Sequence, residues 1–209
     1  MTGWFMRGLN LWVAALVLLA GGVQAQVNIT RVEQLAAAQM DKVELILAQQ
    51  QRSIADGCDK LRILKAEAVT VWEPVVNKGA KPASGHWAVR YAVEACGEVG
   101  LRNVEMRVVE GGGVALNPLV PGATLADAKL QDDVLKSFEL VGRVAMPSCH
   151  EPVVVRQTEV QVFPKEPKDR WQEVWIGGMC GRDLGQVVDF LPTKGGTTFK
   201  MSVPVKQAR

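Results

Sequence analysis

The sequence predicts an α+β fold made of two tandem units, each a single helix packed on a three- or four-stranded antiparallel meander with one internal disulfide. Three observations carry this reading. A tryptophan motif is written twice, as Trp87-Ala-Val-Arg-Tyr91-Ala-Val-Glu-Ala-Cys96-Gly97 and as Trp171-Gln-Glu-Val-Trp175-Ile-Gly-Gly-Met-Cys180-Gly181, with both aromatics, the cysteine and the glycine in the same places. The four cysteines divide evenly, Cys58 preceding the first copy and Cys149 the second. Around each of these leading cysteines, the apolar spacing changes from a helical period of about 3.6 to a strand period of about 2.

The first helix is predicted to open at Thr30-Arg-Val-Glu33, which has the Thr-x-x-Glu form of a capping box. Val32, Ala36, Met40, Val43, Leu47 and Ile54 then follow at helical spacing until Gly57 stops the run, directly before Cys58. Beyond it, Val69 and Val71 alternate with Thr70. The stretch from Asn77 to Gly85, rich in Gly, Pro and Lys, reads as a loop that is shorter in the second copy. In the tryptophan strand Trp87, Val89, Tyr91 and Val93 share a face. A third strand sets Val104, Met106 and Val108 against Asn103, Glu105 and Arg107, and Val114 to Leu116 after the Gly111–Gly113 turn supplies a fourth.

The second unit repeats the order. Thr124-Leu-Ala-Asp127 is a weaker cap, Leu130, Val134, Phe138 and Val141 make the stripe, and Pro147 closes it before Cys149. Cys58 to Trp72 aligns without gaps to Cys149 to Phe163, and Thr197 to Val203 offers the last strand. Because the same geometry should recur in each copy, the expected pairing is Cys58–Cys96 with Cys149–Cys180. A Cys-x-x-Cys pair and zinc-type spacing are both lacking, which argues against redox or metal chemistry, and no cofactor is expected.

Residues 1–25 read as a secretory signal peptide: Arg7, an apolar run from Leu11 to Ala20, then Val23 and Ala25 at the small-residue positions of a cleavage site. The run is too short for a membrane span of about 20 residues. The expected units are 26–120 and 121–209, placed in the periplasm or outside the cell, where disulfides persist. Without Arg7, the 24 basic residues fall by one against 22 acidic ones. That near-neutral balance gives no field for nucleic acid or anionic lipid.

Candidate functional residues are few. His86 and His150 do not align between the copies, and neither Ser84-Gly-His86 nor the acidic Asp132, Asp133 and Glu151 form a recognised catalytic signature. Trp87 and Trp171 are expected in the cores. Trp72 and Trp175, with Val174 and Ile176 making the second sheet apolar on both faces, are the expected binding surface, since an apolar sheet face needs a cover.

The order helix then meander resembles the cystatin-like arrangement, and two such units in tandem resemble the layout of the secreted β-lactamase inhibitor proteins. The likeness covers element order and one cysteine pair per unit, with no sequence motif, so it transfers no functional residue. The expected function is a non-catalytic binding or assembly protein of the cell envelope, acting through contacts with another envelope protein. The alternatives are an inhibitor or immunity protein that blocks a secreted enzyme, and a small-ligand-binding or hydrolytic enzyme.

Overall fold

The computed structural model describes residues 22–54, 60–166 and 168–202. Among these residues it is an α+β protein with three α-helices and two four-stranded antiparallel sheets. Helices α1 (Gly22–Ala37) and α2 (Met40–Ile54) precede the first sheet, formed by β1 (Leu61–Lys78), β2 (Lys81–Ala95), β3 (Glu98–Val108) and β4 (Val114–Leu119). Helix α3 (Ala128–Ala145) precedes the second, formed by β5 (Val154–Val162), β6 (Trp171–Met179), β7 (Arg182–Thr193) and β8 (Gly196–Met201). Both sheets are meanders in chain order. Among the described residues, no helix is long and apolar enough to cross a membrane. The apolar run expected to lead a signal peptide lies outside them.

Two cores result. In the first, Val32, Ala36, Val43 and Leu47 of α1 and α2 meet Trp87, Val89, Tyr91 and Val93 of β2 and Val104, Met106 and Val108 of β3. In the second, Leu130, Val134 and Phe138 of α3 meet Trp171, Trp175 and Met179 of β6 and Leu184, Val188 and Phe190 of β7. The period-2 alternation thus buries one face of each central strand under a helical stripe. Trp87 lies opposite Met106 and Trp171 opposite Phe190.

Each Cys-Gly pair is a two-residue turn. Cys96 and Cys180 have φ of 52° and 48°, and Gly97 and Gly181 have φ of 88° and 69°, the left-handed pair that a tight hairpin between twisted strands requires. Glycine takes this conformation without strain and cysteine does not. Cys180 is joined by a disulfide to Cys149, three residues beyond the Met146 end of α3. Cys96 is also disulfide-bonded, while Cys58 lies outside the described residues.

Four details differ from the sequence reading. The helix does not begin at Thr30, which lies inside α1, so the capping box has no free helix end to serve. The run also breaks after Ala37: Gln39 N bonds to Ala36 O at 3.0 Å, a tighter step than the α ladder, and α2 sets off anew with Val43 N on Gln39 O. Asp127, not Thr124, caps α3, its Oδ1 accepting from Leu130 N at 2.8 Å. The loop expected at Asn77–Gly85 is mostly paired strand, because Gly79, at φ 68°, lets Lys78 face Lys81 directly across the turn.

Candidate functional site

The segment joining the two sheets is the most densely bonded stretch of irregular chain among the described residues. Val120 N donates to Gln131 Oε1, Leu119 O accepts from Gln50 Nε2, and Pro121 O accepts from Thr158 Oγ1 at 2.7 Å. Asn103 Nδ2 donates to the carbonyls of both Val120 and Gly122. Gly122 N then donates to Leu101 O of β3 at 3.0 Å, and the next residue, Ala123, donates to Thr158 O of β5 at 2.8 Å. The connector thus lies between the two sheets and is bonded to both, and buried backbone groups satisfied in this way leave little freedom.

Only glycine fits at the contact with β5. Gly122 has φ of 96°, and a Cβ there would lie 2.2 Å from Thr158 O and 2.4 Å from Thr158 N.

Where the connector turns away, the edges of β3 and β5 face one another across a cleft of about 830 Å³. Val99, Gly100 and Leu101 line one side, and Arg156, Gln157 and Thr158 the other. The end of α2, through Gln51 and Ile54, closes the inner wall. The two lining arginines are already engaged. Arg102 Nη2 donates to Gln51 Oε1 at 2.5 Å, and Arg156 forms an ion pair with Asp183. Burial lowers the Arg102 guanidinium from its usual value.

Beside the connector sits a fully buried carboxylate. Glu173 accepts from Trp171 Nε1 and Trp175 Nε1 at 2.9 Å each, and from Thr124 Oγ1 and Leu125 N at 2.8 Å each. Four donors replace the water that burial removes. Arg90 stands near, donating Nε to Asn103 Oδ1 and Nη2 to Thr124 O. Burial pushes its guanidinium down and the charge of Glu173 opposes that shift.

A polar cluster lies on the first sheet. His86 Nε2 is 2.5 Å from Glu105 Oε1, with Arg107 and Asn117 donating to the same carboxylate, and the ring of Trp72 lies 4.6 Å from that of His86. Burial raises the Glu105 carboxyl, but the His86 hydrogen bond foremost, with those of Asn117 and Arg107, leaves it below the usual carboxylate value. Next to it a smaller groove, about 300 Å³, runs between Trp72, Arg90 and Leu125.

The expected binding residues therefore separate. Trp175 is fully buried, because Glu173 satisfies its indole and lets the whole ring enter the core. Val174 and Ile176 are half-buried on the opposite face of β6, and Ile176 lines the cleft. Trp72 is half-buried against His86. Asn103, on the polar face of β3, is buried under the connector. The cleft residues Val99, Leu101, Arg156 and Thr158 and the connector glycine went unrecognised in the sequence. Thr158 sits among the equally polar Arg156, Gln157 and Glu159, so its residue type gives no signal. Among the described residues, no group of three His, Cys, Asp or Glu side chains converges on a metal position.

No protein-family profile matches the chain, and neither a curated protein nor a solved structure matches it. The functional reading therefore rests on the geometry alone.

Proposed function

We propose that the chain is a non-catalytic binding or assembly protein of the cell envelope, periplasmic or secreted, that takes up another protein in the cleft between its two sheets. The observation that carries this reading is the cleft itself, a concavity of about 830 Å³ whose walls are fixed by a connector bonded to both sheets. A preformed recess loses little entropy on binding. The two units are read as copies of one stapled module, with Cys58–Cys96 matching Cys149–Cys180 and residues 1–25 serving as the export signal. The shared strand order, the matched left-handed Cys-Gly turns and the Trp87/Trp171 register support the duplication.

The test is capture from an envelope extract by the wild type, by Ala123→Trp, which fills the cleft, and by Trp72→Ala, which alters the other candidate surface. A partner retained by wild type and Trp72→Ala but lost by Ala123→Trp, at unchanged melting temperature, is the expected result. Equal capture by all three contradicts the reading.

A second reading, a small-ligand or hydrolytic site, is favoured by one observation, the close His86–Glu105 pair beneath Trp72. It predicts turnover of a small ester or glycoside that disappears in His86→Ala.

A further inference from the structure

We propose that the occupant of the cleft is a single extended polypeptide strand, inserted between β3 and β5 by backbone hydrogen bonding. This rests on the binding reading above and specifies the partner's form.

The backbone directions follow from the turns. Ala95 and Glu98 close the two-residue Cys96-Gly97 turn, so they exchange hydrogen bonds, and alternate residues of β3 from Val99 onward point their amide groups away from β2. Leu101 confirms the direction, since its carbonyl accepts from Gly122 N. β4 pairs with β3 only as far as Asn103, which faces Leu119. The outward N–H and C=O of Val99 therefore face the cleft, and the Val99 side chain is 73% exposed. On the other wall β5 is the first strand of its sheet, with β6 on one side only, and Thr158 turns its carbonyl outward to Ala123.

The width is set by the connector. Gly122 bonds one way to β3 and Ala123 the other way to β5, so a single thickness of chain, turned at the left-handed Gly122, spans the gap there. At that level one chain thickness separates the two edges. After Ala123 the chain leaves the gap, because Thr124 turns to Glu173 and to Arg90. What remains is a gap between two strand edges, the Val99 amide and carbonyl on one side and the one-sided edge of β5 on the other, a demand that a peptide in β conformation meets and a folded surface knob does not. Ile54 and Val93 on the inner wall call for an apolar side chain at the residue facing them.

The test uses the full chain and a phage-displayed library of random twelve-residue peptides. Val99→Pro removes the amide that faces the slot while sparing the β2 ladder, a strand setting in which proline is tolerated. Val99→Ala is its control. The expected result is enrichment of peptides that bind wild type and Val99→Ala and bind Val99→Pro at least tenfold more weakly. On the wild-type chain, N-methylation of the peptide's central residues in either register should also weaken binding at least tenfold.

Peptides that tolerate N-methylation at their centre, or bind Val99→Pro equally, would overturn strand insertion while leaving the broader binding reading intact. So would an envelope partner captured only as a folded domain while no peptide is enriched. A concentration-dependent dimer abolished by Val99→Pro, or peptide binding that appears only after deletion of residues 203–209, would assign the slot to the chain itself and overturn the proposal.

Discussion

Glu173 stands in the second sheet where Val89 stands in the first: Glu173 faces Val188 on β7, and Val89 faces Val104 on β3, each flanked along its strand by the two aromatics of the motif. The consequence is asymmetric. In the second sheet the carboxylate satisfies both indoles, whereas in the first Trp87 Nε1 and Tyr91 Oη are buried with no hydrogen-bond partner among the described residues.

Replacing the carboxylate should therefore be costly. Glu173→Val strands the donors of Trp171, Trp175, Thr124 and Leu125 and removes the charge beside Arg90. A loss of about 3–5 kcal/mol in urea unfolding is expected. A loss below about 1 kcal/mol would mean that the hub is not structural.

The first sheet makes the opposite prediction. Tyr91→Phe removes a buried hydroxyl that has no partner and keeps the ring, so it should stabilise the fold by about 1 kcal/mol at neutral pH.

The same residue gives a pH signature. Burial pushes the Tyr91 phenol up to about 12. The unfolded chain ionises it near 10, so this contribution to stability is whole below pH 10 and falls as pH rises toward 12. Tyr91 is the chain's one tyrosine, so ultraviolet absorbance reads it alone. No tyrosinate should appear in the native protein at pH 10.5, and Tyr91→Phe should lose less stability than wild type between pH 10 and 12.

At the connector, Gly122→Ala introduces a Cβ against the Thr158 backbone at a left-handed φ. The expected destabilisation is about 3 kcal/mol, measured by thermal unfolding, with both sheets still formed by circular dichroism. An unchanged melting temperature would show that the connector does not grip β5.

The described disulfide closes a sequence separation of 31 residues. Replacing Cys149 and Cys180 together by alanine should lower stability by about 3–4 kcal/mol on the chain-entropy argument. Guanidinium titration of the double variant checks this.

The layers were legible in the sequence because burial acts on single strands and helices. Trp87, Val89 and Tyr91 alternate, and Val43 and Leu47 recur, wherever the rest of the chain goes. The cleft was not legible, because it is made by backbone groups of Leu101 and Thr158 that carry no residue signature, and by Gly122, one glycine among 20. Trp175 misled for a related reason: only the distant Thr124–Leu125 segment reveals that Glu173 can be buried with its charge satisfied. The helix break after Ala37 has no proline or glycine to announce it.

The most direct measurement is hydrogen–deuterium exchange of the chain with and without a partner captured from envelope extract. Strong new protection confined to residues 98–101 and 156–159 is the predicted result. Protection centred on Trp72 and His86, with those two edges exchanging as freely as before, would contradict a binding site between the sheets.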